Sequence, residues 1–124
     1  MAYTYAYGTS VHVTIHVAPE SVDRFFVAFE RFYQNVIRED ECLSFQMYRN
    51  PAKPGNIVWV EDWSESPEWY CNHRITKDYY REYLIITRPM LIFEREVEFF
   101  ERPPPYYSFS RVDYENYRQW TCAS

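Results

Sequence analysis

The stretch IVWVEDWSESPEWYCNH, residues 57–73, decides how this chain folds. Residues 57–63 alternate between two sets of side chains and are rich in β-branched and aromatic types, which predicts a half-buried strand. Ser66 is a favourable N-cap, and Pro67 suits the first position of a helix. The stretch therefore predicts a strand, a capped turn and a short helix.

The same stretch supplies a candidate site for a small molecule. Trp69 and His73 are four residues apart, so they share one face of the predicted helix. Trp63 ends the strand close to the place where His73 emerges. An aromatic wall beside an imidazole that titrates near neutral pH is suited to binding an organic ligand and removing a proton from it.

Outside this stretch, strand and helix patterns follow one another in a simple order. Residues 11–17 alternate and predict a first strand, and apolar positions three and four apart predict an amphipathic helix over residues 19–38. Further strands are predicted over residues 42–49 and 91–100, a hairpin loop over residues 50–56, and helical segments over residues 66–75 and 76–87. The order β-α-β-β-α-β predicts an α+β, ferredoxin-like fold with a four-stranded antiparallel sheet and helices on one face.

The third strand also predicts a second copy of the chain. Ile57, Trp59 and Trp63 share one parity of the strand, whereas Val58 and Val60 share the other. Because the helices cover only one face of the sheet, the apolar residues on the other face need a partner. A symmetric homodimer, in which two sheets form a joint barrel, meets this need.

These features resemble the antibiotic biosynthesis monooxygenase family, whose members are small dimeric α+β barrel proteins. In that family a hydrophobic strand ends in Glu-x-Trp, and a histidine follows about ten residues later; here these are Glu61-Asp62-Trp63 and His73. Residues 41–51 are similar to the family's second strand and the loop after it. The resemblance predicts an N-terminal arm (1–10), a family-like domain (11–100) and an aromatic C-terminal extension (101–124).

The resemblance implies a cofactor-independent monooxygenase of secondary metabolism, which oxidises an aromatic polyketide-type phenol or anthrone with O2. His73 would be the base, with Trp63 and Asn72 as the other catalytic residues. A His73→Ala substitution is then expected to lower the rate by roughly a hundredfold. The residues predicted to bind the substrate are Trp69, Tyr80, Tyr83, His12, His16 and Glu61.

Several of these residues have a second interpretation that does not involve catalysis. His73 could equally be a partly exposed helix histidine, and Trp63 a core anchor. His12 and His16 share one face of the first strand, where they either line the pocket or form a polar layer of the barrel. They are about 13 Å apart, too far to bind one metal ion.

Glu61 also has two possible roles. It shares a face with Trp59 and Trp63, so it is either an acid/base group with a raised pKa or the partner of an arginine. The candidate partners are Arg74, Arg81 and Arg95.

Other functions use the same kind of pocket. A redox-neutral cyclase, isomerase, dehydratase or lyase also removes a proton and holds an enolate. A dimeric binding module is the non-enzymatic alternative, with the aromatic extension gripping a partner. Haem-degrading relatives use an asparagine on the first strand, and residues 11–17 contain none.

Composition excludes several classes of protein. The 124 residues carry a net charge of -5, which disfavours nucleic acids and anionic membranes. Two glycines leave no glycine-rich phosphate loop, and no flavin, nicotinamide or metal motif is present. No apolar run approaches the ~20 residues that span a bilayer, and residues 1–8 lack the pattern of a signal peptide. We therefore expect a cytoplasmic protein without a cofactor, O2 being at most a co-substrate.

Overall fold

The computed structural model describes residues 8–103, together with Tyr107, Phe109 and Arg111. Most of the predicted N-terminal arm and of the aromatic C-terminal extension lies outside these residues. The elements are β1 (Thr9–His16), α1 (Val22–Val36), β2 (Cys42–Asn50), β3 (Lys53–Trp63), α2 (Pro67–Arg74), α3 (Asp78–Thr87) and β4 (Glu96–Phe100), with 3-10 turns at Pro19–Ser21 and Arg88–Met90.

The four strands form one sheet in the order β2-β3-β1-β4, and each neighbouring pair is antiparallel. In this sheet Val13 of β1 lies between Trp59 of β3 and Val97 of β4. This arrangement confirms the predicted ferredoxin-like fold. The homodimer stays a prediction.

The core lies between the sheet and the helices. Helix α1 buries an apolar stripe at the 3/4 spacing of an amphipathic helix, consisting of Val22, Phe25, Phe29, Phe32 and Val36. The Phe29 ring packs 5.1 Å from the Trp59 ring of β3 and 5.9 Å from the Phe45 ring of β2. Aromatic side chains therefore join the helical layer to the two strands beneath it.

Strand β1 shows the two faces of the sheet. Val11, Val13 and Ile15 are buried beneath the helices, as their parity predicts. His12 and His16 point to the opposite, open face and are only partly buried. The sequence therefore assigned the two faces of this strand correctly.

Three strand starts differ from the prediction, and the smallest difference is in β1, which begins at Thr9 rather than Val11. Strand β3 begins at Lys53 rather than Ile57, because the hairpin turn is tighter and Lys53 already pairs with Asn50. Gly55 makes this extension possible, since a Cβ there would overlap the carbonyl oxygen of Val17.

Strand β4 begins at Glu96, five residues later than predicted. Leu91 forms only an isolated bridge with Val17 after the 3-10 turn, and the Ile92 N–H donates to the His16 carbonyl at 2.8 Å. Residues 92–95 then leave the sheet, so the apolar run that favoured a strand forms the side of a cleft instead.

Among the described residues, no helix is long and apolar enough to cross a membrane.

Candidate functional site

Helix α2 places two pairs of side chains on two neighbouring faces. Its start is fixed by Ser66, whose hydroxyl accepts the backbone N–H of Trp69 at 3.1 Å, as predicted for an N-cap. From this start, Tyr70 and Arg74 point inward and are buried, whereas Trp69 and His73 are only partly buried. Both pairs have the i, i+4 spacing that puts side chains on one helical face.

Glu61 is the buried polar centre of the site. It points from β3 toward the helices and is 0% exposed. Its carboxylate accepts the indole N–H of Trp59 at 2.7 Å and that of Trp63 at 2.9 Å, and Arg74 donates to it at 2.5 Å. The structure thus shows Glu61 in the ion pair considered from the sequence, with Arg74 as the partner.

Arg74 is a buried cation surrounded by aromatic rings. Its guanidinium carbon lies 4.6 Å from the ring centroid of Tyr70, 4.9 Å from that of Tyr80 and 5.3 Å from that of Trp63. Burial alone would lower the pKa of Arg74, but the Glu61 carboxylate, through its charge and its hydrogen bond, together with Tyr70 and Tyr79 holds the pKa above its usual range. The guanidinium therefore stays charged.

One N–H group of the Arg74 guanidinium takes no part in these interactions. The Nε atom of Arg74 is buried and has no hydrogen-bond partner among the described residues. A buried donor without an acceptor costs about 1–3 kcal/mol of stability.

Arg74 and Glu61 border a cavity of about 380 Å³ between the sheet and helices α2 and α3, which we call the aromatic cavity. This volume lies in the range of small-molecule sites. Its polar lining comes from Glu61, Arg74 and Arg95, and Cys71 lies at its edge. Its rings are those of Phe32, Trp59, Tyr70, Tyr80, Tyr83 and Phe99.

Two tyrosines of the cavity stay protonated at neutral pH. Burial raises the pKa of Tyr70, and the Glu61 carboxylate raises it further. Burial also raises the pKa of Tyr83. These hydroxyl groups can therefore donate hydrogen bonds but do not serve as bases.

His73 occupies a separate cluster. Its ring stacks on Trp69 with a centroid distance of 4.2 Å, and its Nε2 atom is hydrogen-bonded to the carboxylate of Glu39. The Tyr79 hydroxyl donates to the same carboxylate, and Lys77 Nζ lies 3.9 Å from it. His73 is not among the residues that line the aromatic cavity.

The structure brings only part of the predicted site together. Glu61, Tyr80 and Tyr83 line the aromatic cavity, whereas Trp63 does not line it and donates its indole N–H to Glu61. The remaining predicted residues lie elsewhere: Trp69 and His73 in the Glu39 cluster, Asn72 on the exposed side of α2, and His12 and His16 on the open face of the sheet.

The sequence analysis missed Tyr70 as a cavity residue and gave Arg74 and Arg95 only a structural role. A signal for Tyr70 and Arg74 existed, because they have the same spacing as Trp69 and His73. Which of the two pairs faces the cavity depends on how α2 is rotated about its axis relative to the sheet. The i, i+4 spacing does not determine this rotation.

Among the described residues, no group of three or more His, Cys, Asp or Glu side chains is arranged to hold a metal ion.

A family model described as antibiotic biosynthesis monooxygenase matches residues 9–83. A curated relative from Pestalotiopsis microspora, named "Putative monooxygenase", is 30% identical over 95 residues, which cover 77% of this chain and 79% of the relative. The matched residues include β1 to β3, α2 and most of α3, and therefore most of the aromatic cavity.

Solved structures share the fold. A conserved protein from Methanosarcina mazei superposes with a TM-score of 0.75 at 18% identity, covering 83% of this chain and 100% of that one. The crystal structure of an antibiotic biosynthesis monooxygenase superposes with a TM-score of 0.71 at 14% identity, covering 77% and 99%. At such identities the likeness concerns the fold alone.

Proposed function

The chain belongs to the antibiotic biosynthesis monooxygenase family, and on this premise we propose that it oxidises an aromatic phenol- or anthrone-like substrate of the polyketide type with O2. The family and the relative support a monooxygenase-type function. The observation that carries the finer proposal is the buried cation of Arg74, paired with Glu61, among the residues that line a cavity walled by aromatic rings.

The main requirement of this reaction is that the protein stabilises the substrate as an anion. Triplet O2 reacts slowly with closed-shell molecules, but a phenolate or the carbanion of an anthrone can give it one electron. In the net reaction the CH2 group of an anthrone becomes a carbonyl. One oxygen atom of O2 enters that carbonyl, and the other leaves as water with the two hydrogen atoms removed from carbon. No metal or organic cofactor enters this balance.

Arg74 is placed to stabilise that anion. A positive charge next to a bound phenol or enol lowers its pKa and so favours the form that reacts with O2. The guanidinium would donate a charge-assisted hydrogen bond to the oxyanion. Glu61 holds the guanidinium in place through its hydrogen bond of 2.5 Å.

The rings of the cavity serve the same reaction. Tyr80 and Tyr83 line the cavity and offer faces on which an aromatic substrate can stack. A substrate packed among these rings displaces water, which strengthens its interaction with Arg74.

The base role of His73 stays a prediction. The Nε2 atom of His73 is engaged by Glu39 and its ring covers Trp69, so the geometry favours anion stabilisation by Arg74 over proton abstraction by His73. In this proposal the cavity lowers the pKa of the substrate, and the proton passes to a water molecule or a buffer base at the open side of the cavity.

We also propose that the protein acts as a homodimer paired through the open sheet face. That face carries Tyr48 at 55%, Val58 at 37% and Phe100 at 46% exposure in the single chain. These apolar groups would be covered by a second sheet.

Oxygen uptake tests the proposal. We expect wild-type protein to consume O2 in step with oxidation of anthrone or a dihydroxynaphthalene, with or without a metal chelator. The double variant Glu61→Gln with Arg74→Met removes the cation without leaving a buried charge unpaired, and it is expected to lower the rate at least about a hundredfold.

The matched control is Arg81→Met, which removes an exposed arginine of α3 that pairs with Asp78, donates to the Ile75 carbonyl and is not among the residues that line the aromatic cavity. It should keep wild-type turnover. Full activity in a folded double variant would overturn the role of Arg74. Conversion of the substrate without O2 uptake would indicate a redox-neutral cyclase, isomerase or lyase instead of a monooxygenase. Ligand binding without conversion would indicate a binding module.

A further inference from the structure

A second chamber adjoins the aromatic cavity. It has a volume of about 510 Å³ and shares Tyr83, Leu84 and Arg95 with the first. Its remaining lining comes from Ile15 of β1, the end of α3 with the following 3-10 turn, and residues 91–94. The two chambers therefore adjoin at these residues, and we refer to the pair as the cleft.

The cleft runs along one face of α3. Tyr80 lines the aromatic cavity, Leu84 lines both chambers, and Arg88 lines the second. Because a helix rises 1.5 Å per residue, the distance along the axis from Tyr80 to Arg88 is about 12 Å. A ligand that fills both chambers is therefore elongated rather than compact.

The second chamber is polar where the first is aromatic. Arg88, Arg95 and Glu94 line it. Within the described part of the chain none of these three forms an ion pair. Arg95 lies at the junction, with its guanidinium carbon 5.4 Å from the ring centroid of Tyr80, the ring that also contacts Arg74.

The charge of this chamber selects its ligand. Two arginines and one glutamate leave a net charge of +1, which matches a monovalent carboxylate better than a dianionic phosphate. Arginine binds a carboxylate through two parallel hydrogen bonds, which fixes both the position and the orientation of the acid.

We propose that the substrate is an elongated aromatic acid whose ring occupies the aromatic cavity and whose side-chain carboxylate binds Arg95, assisted by Arg88, in the second chamber. The assignment of the ring rests on the proposed function, whereas the assignment of the carboxylate rests on the second chamber. Arg95 is then a specificity-determining residue, because its position selects ligands with the matching distance between the ring and the carboxylate.

Binding of matched probes tests this proposal without turnover. A hydroxynaphthyl-propanoic acid and its methyl ester differ only in the charge of the side chain, and quenching of tryptophan fluorescence gives the Kd of each. We expect wild-type protein to bind the acid at least about tenfold more tightly than the ester. Arg95→Gln should abolish this preference, Arg88→Gln should reduce it, and Arg81→Gln should leave it unchanged.

A charge swap separates recognition from folding. Arg95→Glu should prefer the corresponding hydroxynaphthyl-propylamine over the acid, an inversion that a structural role of Arg95 does not produce. Equal affinities of acid and ester in wild-type protein, or a preference that survives in Arg95→Gln, would overturn the proposal. Tighter binding of a phosphate monoester of the same length would overturn the choice of carboxylate.

The two proposals fail separately. If the acid preference depends on Arg95 but no O2 is consumed, the second chamber stands and the monooxygenase proposal falls. If O2 is consumed equally well with acid and ester, the monooxygenase stands and the carboxylate subsite falls.

Discussion

The carboxylate of Glu61 accepts hydrogen bonds from two indoles and a guanidinium although it is fully buried. Strand parity predicted that Glu61 faces the same side as Trp59 and Trp63. A carboxylate on that side requires a cationic partner, since an unpaired buried charge is strongly destabilising. The sequence could name the candidate arginines, but the choice of Arg74 depended on how α2 lies against the sheet.

His73 illustrates the opposite case at the same scale. Its spacing from Trp69 was read correctly, since the two rings stack. No sequence pattern pointed to Glu39, which is 34 positions away and binds the imidazole only in the folded chain. The local neighbour of His73, Trp69, was thus predictable from the spacing, whereas its long-range partner Glu39 was not.

Substitution of His73 distinguishes the two accounts of proton removal. If Arg74 stabilises the substrate anion, His73→Ala should lower kcat by less than about tenfold. Loss of a general base would lower kcat by a factor of about 10²–10⁴, and in this account His73 is not the base. The measurement is kcat against pH for wild-type and variant protein. A loss of a hundredfold or more, with disappearance of the acid limb of the profile, would restore His73 as the base.

At the scale of elements, the capped start of α2 was the most predictable part of the fold. Local signals sufficed there, because an N-cap and a helical proline act within four residues. The starts of β3 and β4 were less predictable. Lys53 and Gly55 look like loop residues, and their place in a strand depends on pairing with Asn50 and on the closeness of Val17.

The cap itself should have a measurable effect. Ser66→Ala removes the acceptor of the Trp69 N–H and is expected to lower the free energy of unfolding by about 1 kcal/mol. Ser66→Asp retains an acceptor and should stay close to wild type, which makes it the matched control. Urea denaturation measures both, and equal stability of all three proteins would contradict the capping role.

At the scale of the whole molecule, buried tyrosines link stability to alkaline pH. The pKa values of Tyr70, Tyr79 and Tyr83 are raised, in each case first by burial, and burial raises the pKa of Cys42 to about 12. The folded state therefore keeps protons that the unfolded chain loses. The stabilising effect is complete below the unfolded pKa values and is lost progressively as pH rises from the unfolded toward the folded pKa values.

We accordingly expect the free energy of unfolding to fall steeply above about pH 10, by up to about 1.4 kcal/mol per pH unit for each tyrosine that ionises only when unfolded. Chemical denaturation at a series of pH values gives the slope. Tyr70→Phe should reduce the slope by the contribution of one tyrosine, whereas Tyr107→Phe, at a position 82% exposed, should leave the slope unchanged. A stability that does not change between neutral and strongly alkaline pH would contradict the burial of these hydroxyl groups.

The central claim is that the aromatic cavity holds its ligand as an anion beside Arg74. The absorption spectrum of bound naphthol tests it most directly, because naphthol and naphtholate absorb at different wavelengths. At neutral pH, where free naphthol is protonated, we predict that saturating wild-type protein produces the naphtholate spectrum and that the Glu61→Gln, Arg74→Met double variant does not. A spectrum of neutral naphthol bound to the wild-type protein would contradict the account.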